Sequence, residues 1–232
     1  MKSKKNFSLI LQGKGGVGKS LLAAMLTQYF TTHQKDVVLP YDVDAEQNTL
    51  AKWVKDAVTV DVLNAEIEDI DKEKFYDFFE QIMQEQGKNI VIDVGTSISK
   101  SFLTFLKELQ VLKYLTDIYN VHVFTIVTSD DDTVMYLNNL WELNQPVYVF
   151  KNEYFGKVNY ETDFNFYPIH DLNKRIVRKV TELKIPYENI NKDKRLMVLE
   201  KQYASQFYLH FWRHFRKIFK HKKPDFIVGK ED

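Results

Sequence analysis

The chain of 232 residues contains no cysteine. Disulfides, thiolate-ligated zinc or iron–sulfur centres and thiol catalysis are therefore excluded, and the absence fits a reducing compartment. Long hydrophobic runs are missing too: no stretch nears the ~18 apolar residues that a spanning helix needs. The basic start Lys2-Ser3-Lys4-Lys5 has the charge of a signal peptide, but the apolar run Phe7 to Leu11 is too short for its core. A cytoplasmic location is expected. Net charge is absent, with 32 basic and 32 acidic residues, so the whole molecule exerts no pull on nucleic acid or membrane. The six histidines show no metal-ligand spacing. Repeats, low-complexity tracts and linkers are lacking, which predicts one domain over residues 1–232. Glycine is scarce, eight in all, yet four lie between positions 13 and 18.

What is present reads as a globular α/β chain, 44% hydrophobic and 28% charged. Short apolar runs at 7–11, 37–41, 58–62, 89–94, 121–128 and 146–150 predict strands. Pro40 is awkward in the second, because a central strand loses a ladder bond at proline. Helical patterns are expected at 21–30, 71–86, 102–115, 131–143, 172–183 and 193–219. The segment from Lys151 to Tyr167 reads as a long aromatic loop. The alternation implies a doubly wound, mostly parallel sheet flanked by helices.

The glycine cluster meets the pattern G-x-x-x-x-G-K-[ST] in full, from Gly13 to Ser20, with a strand before it and a helix after. Such a loop turns the backbone N–H groups of Gly13, Gly15, Gly16, Val17, Gly18, Lys19, Ser20 and Leu21 toward phosphate oxygens. Lys19 is expected on the β- and γ-phosphates of ATP and the Ser20 hydroxyl on Mg²⁺. Asp93 ends the strongest strand, where P-loop folds place the acid that holds Mg²⁺. Asp42 and Asp44 end another strand at a spacing of two, which puts both carboxylates on one face of an extended chain. One is suited to support the metal and the other to orient a water.

Lys14 directly follows the first glycine, where an ordinary P-loop needs no lysine. The run Lys14-Gly15-Gly16-Val17-Gly18-Lys19-Ser20 resembles the deviant Walker A motif of the ParA/MinD group of ATPases. That resemblance implies an ATP-bound homodimer in which Lys14 reaches the partner's phosphates, as an arginine finger does. It implies a water-positioning role for Asp44, Mg²⁺ ligation at Asp42 and Asp93, and an adenine contact at Asn152, with Ile185-Pro186 flanking the base. The group's usual Asp-Pro-Gln is here Asp44-Ala45-Glu46, and the proline often found after the Mg²⁺ aspartate is absent. Within the group, the phosphate loop with Ile92 to Ser97, His122 to Thr128 and Phe150 to Gly156 is similar to the TraL-type proteins of conjugative plasmids.

From Phe207 to Phe219 the apolar side chains fall on one helical arc, and Arg213, Arg216, Lys217 and Lys220 lie opposite, extended by Lys222 and Lys223. Three readings follow: a terminal helix packed on the sheet, a membrane-interface helix, or a DNA-phosphate surface spanning 207–223. The expected function is an ATP-dependent dimerisation switch in plasmid transfer or segregation, read by a partner protein. A metabolic P-loop kinase or ligase, and a nucleotide-gated module with little hydrolysis, are the alternatives.

Overall fold

The computed structural model describes residues 4–44, 46–64, 66, 69–158, 166–169 and 173–220, without the Lys220 side chain. In chain order the elements are β1 (Lys5–Ile10), α1 (Lys19–Gln28), β2 (Val38–Val43), α2 (Thr49–Trp53), β3 (Val58–Thr59), β4 (Leu63–Asn64), β5 (Asp69–Ile70), α3 (Lys72–Gln84) and β6 (Asn89–Val94). They continue with α4 (Ser99–Glu108), α5 (Val111–Ile118), β7 (Tyr119–Val127), α6 (Asp131–Trp141), β8 (Val147–Asn152), β9 (Phe166–Ile169), α7 (Lys174–Glu182) and α8 (Val198–Lys220). Seven strands form one sheet in the order β3-β2-β6-β1-β7-β8-β9, every neighbouring pair parallel. Connections run to opposite sides of β1, which therefore sits where the winding reverses, the place where open α/β sheets bind ligands.

The two-residue period of the strands sorts side chains between two helical layers. Phe7 and Leu9 of β1, with Ile90 and Ile92 of β6, pack toward α3, α4, α5 and α6. Ile10, Val91, Phe124, Ile126 and Phe150 pack on the other side, toward α1, α7 and α8. Strand β6 is buried along its whole length, as its unbroken apolar run requires.

Pro40 lies inside β2 without loss. Val37 and Val43 carbonyls accept from Asn89 and Gly95 N–H on the β6 side, whereas the Asp42 carbonyl accepts from Val60 N–H. Alternation points the Pro40 nitrogen away from β6, and pairing with β3 begins only at Tyr41. The missing donor therefore faces no acceptor.

Four expectations are corrected. Only Val58–Thr59 of the run 58–62 joins the sheet, and Leu63–Asn64 pairs antiparallel with Asp69–Ile70 instead. The helix expected over 102–115 is two, broken where Gln110 takes a left-handed φ of 49°. The aromatic loop begins with the end of β8 and closes with edge strand β9, while residues 159–165 lie outside the described residues. The tail helix begins at Val198 rather than 193, and of the three readings of its aromatic arc the packed one holds: Phe207, Tyr208, Phe211, Trp212, Phe215 and Ile218 are buried. Phe215 meets Tyr29 and Phe150 at ring separations of 5.5 and 6.0 Å. That arc is closed to lipid, which leaves Arg213 and Lys217 outward. Lys222 and Lys223 lie outside the described residues. Among the described residues no helix is long and apolar enough to cross a membrane.

Two predictions follow from this packing. Phe215→Ala should cost about 3–5 kcal/mol in denaturant unfolding, because it empties a site between Tyr29 and Phe150. His122, its Nε2 3.2 Å from Asn6 Oδ1 and its ring against Tyr148 and Phe219, is pushed down by burial to about 4. The unfolded ring keeps the ordinary value of 6.5, so between these limits the unfolded chain holds the extra proton and stability falls as pH drops. The total is up to ~3 kcal/mol. Urea unfolding at pH 7.5 and 4.5 should show His122→Gln losing less stability than wild type over that interval.

Candidate functional site

The site grows from the turn between β1 and α1. Gly18 has φ 111°, a left-handed value that side chains resist, and it leads into α1 without a side-chain cap or a first-turn acid. By contrast, Asp71, Asp130 and Asn173 cap α3, α6 and α7 with their own side chains. The first amides of α1 are thus left for an anion. Asn152, at the end of β8, holds the loop in place. Its Nδ2 donates to the Val17 carbonyl at 2.8 Å, and its Oδ1 accepts from Tyr154 N–H at 3.2 Å. The neighbour of Asn152 in the sheet is Ile169. Ile185, expected beside the base, is buried, and its carbonyl accepts from the Tyr208 hydroxyl at 3.0 Å.

Lys19 is buried, and its Nζ donates to Thr96 Oγ1 at 2.7 Å and to the Lys14 carbonyl at 3.3 Å. Burial lowers its pKa, opposed by the charges of Asp93 and Asp44. Thr96 was not singled out for this role by sequence reasoning; its place three residues after Asp93 was the available signal.

The three acids separate. Asp42 and Asp93 stand opposite each other in the β2–β6 register, 0% and 3% exposed. Asp42 Oδ2 accepts from Ala51 N–H in α2 at 2.8 Å. Burial raises its pKa, and it raises that of Asp93 to about 7 despite a hydrogen bond from Ser20. Each carboxylate keeps one buried oxygen, Asp42 Oδ1 and Asp93 Oδ1, with no partner. Asp44 lies beyond the strand end, where its Oδ1 accepts from Glu46 and Gln47 N–H at 3.0 Å each. The expectation that Asp42 and Asp44 share the phosphate-facing surface is corrected. Asp44 and Asp93 line a cleft of about 480 Å³ with Gly16, Lys19, Ser20 and Thr96, and Asp42 is capped away beneath α2. Gly95 is required here, since a Cβ would come within 3.0 Å of the Asp44 Cα.

A divalent cation fits this arrangement. Hard oxygen donors, buried negative charge and unpartnered carboxylate oxygens are what Mg²⁺ accepts, with water and phosphate completing its shell. Among the described residues no three His, Asp or Glu side chains gather as a self-sufficient metal cage.

Lys14 leaves the cleft altogether. Its Nζ lies 2.7 Å from Asp130 Oδ2 and 3.7 Å from Asp132 Oδ2, at the start of α6. The Asp130 hydrogen bond raises its pKa, while the lysine holds Asp130 below the usual carboxylate range.

A family model described as the CobQ/CobB/MinD/ParA nucleotide binding domain matches residues 8–174, most of the chain. The chain belongs to this family. Among curated proteins, one Escherichia coli Protein TraL is 30% identical over 162 residues, which cover 66% of this chain and 65% of that protein. The aligned part is thus just under two thirds of that relative's length. A second Escherichia coli Protein TraL is 27% identical over 183 residues, 75% of each chain. Of solved structures, the MinD cell division protein of Aquifex aeolicus superposes with a TM-score of 0.57 at 16% identity, covering 94% of this chain and 98% of that one. The Pyrococcus horikoshii MinD complexed with Mg-ADP gives 0.54 at 17%, covering 94% and 100%. These likenesses show the MinD/ParA fold.

Asp93→Asn removes a buried charge that Ser20 and Lys19 neutralise only in part. The ligand-free variant should unfold at higher urea, by about 1–2 kcal/mol. It should lose the extra stability that Mg-ATP gives wild type, as read from thermal melts with and without nucleotide.

Proposed function

We propose that this chain is a Mg²⁺-dependent ATPase that acts as a nucleotide-controlled dimerisation switch in plasmid transfer or segregation. The observation that carries it is the direction of Lys14, which turns from its own cleft to exposed acids on α6. A lysine with no task at home, on a loop built for phosphate, is suited to a second subunit's nucleotide. The setting in plasmid transfer rests on the likeness to TraL.

The residues divide the work. Amides from Gly15 to Leu21 cradle the phosphates. Lys19 would leave Thr96 for the β- and γ-oxygens, and Ser20 with Asp93 would hold Mg²⁺, Asp42 supporting Asp93 from beneath. When bound, Mg²⁺ neutralises charge developing on the phosphates. Asp44, its Oδ1 already fixed by two amides, presents its other oxygen to the attacking water. Lys14 of the second copy then stabilises the charge of the transition state. Asn152 has one amide N–H uncommitted by the Val17 bond for the adenine edge. Arg213 and Lys217 offer cations to an anionic surface such as DNA phosphate.

Sizing of the purified protein tests the reading. With Mg-ATP, and not with Mg-ADP, wild type should elute as a dimer. Asp44→Ala should trap that dimer and cut phosphate release by at least about 100-fold, whereas Lys14→Ala should lose both dimer and turnover. A monomer under every condition with ATP still bound sinks the switch. Turnover that requires a small metabolite would move the assignment to a metabolic enzyme.

A further inference from the structure

Two adjacent aromatic side chains, Tyr154 and Phe155, are 40% and 44% exposed. They occupy a single tight turn directly after Asn152, at the carboxyl end of the sheet. The turn is pinned on both sides. Asn152 bonds the phosphate loop at Val17, and Ser129 Oγ donates to the Phe155 carbonyl at 2.6 Å. The residue after Ser129 is Asp130, which holds the Lys14 ammonium. The turn that carries the aromatic pair is therefore tied to the segment that holds the outward lysine. Met135 is exposed one turn along α6 from Asp132.

The rings contact each other and a cation. They meet edge-on with centroids 5.2 Å apart, and Lys174 Nζ sits 3.9 Å above the Tyr154 ring. Neither ring lines the phosphate cleft. Aromatic side chains left in water lose little conformational entropy on contact and bury much apolar area, which makes them efficient interface anchors.

We propose that Tyr154 and Phe155 are the apolar anchors of the contact between two copies of this chain. The inference rests on the switch reading. Lys14 reaches a partner's phosphates only if the surface around it is covered by that partner, and a different protein seated here would block it. The occupant is thus a second copy, seated when ATP draws Lys14 away from Asp130. In a two-fold arrangement the same turn serves both subunits.

The test uses the full chain with Mg-ATP in sedimentation velocity across a concentration series. Wild type, Asp44→Ala, and each with Tyr154→Ser plus Phe155→Ser would be compared. Binding of a fluorescent ATP analogue would be measured at concentrations where all are monomers. The double substitution should weaken dimerisation by at least about tenfold in both backgrounds and leave monomer nucleotide affinity within about twofold. Tyr154→Phe, which keeps the ring, should dimerise as wild type does. Undiminished dimerisation of the double variant overturns this inference and leaves the switch standing. A parallel loss of monomer nucleotide affinity also overturns it and assigns the rings to the base. Failure of wild type and Asp44→Ala to dimerise overturns the switch and this inference together.

Discussion

Two carboxylates of like charge, Asp42 and Asp93, lie side by side across β2 and β6 with almost no access to water. Their burial is costly, and the fold offsets it only in part. An amide of α2 reaches Asp42, the Ser20 hydroxyl reaches Asp93, and Lys19 stands close enough to lower the Asp93 pKa. One oxygen on each acid is left over. Lys19 meets this deficit only in part, and a bound cation would relieve the rest, as in metal-dependent phosphate sites.

The surrounding architecture keeps that deficit in position. β6 is sheathed by β1 and β2 and cannot shift without opening both apolar layers. The loop above it is tied to β8 by Asn152 and to the segment after β6 through Lys19 and Thr96. Two separate parts of the chain thus converge on one short turn. Lys14 is the exception, since it is bound to α6 by exposed ion pairs of the kind that water and salt weaken easily.

Much of this was legible because it is local. The phosphate loop announces itself by glycine spacing, and β6 by six consecutive residues that suit a strand buried on both faces. Asp93 and Lys19 could be assigned roles from position alone. The sheet edges were less legible: the run 58–62 announced a strand of which only Val58–Thr59 pairs, and β9 lay inside what reads as a loop, because both are short and depend on distant neighbours. The separation of Asp42 from Asp44 was hidden for a related reason. Strand alternation predicts one face for both, but β2 ends between them at Val43, and the turn that follows sends Asp44 elsewhere. The aromatic arc of α8 was visible as an arc, whereas what covers it depended on Tyr29, Phe30 and Phe150, remote in sequence.

Pro40 has a further consequence. Its ring nitrogen is tolerated only because it points away from β6. Were β2 to slip by one residue, proline would turn toward β6 and delete a hydrogen bond from the middle of the sheet. The residue that looks least suited to the strand therefore acts as a register lock. It penalises the misalignment that would carry Asp42 out of line with Asp93, and so guards the geometry of a site two residues further along.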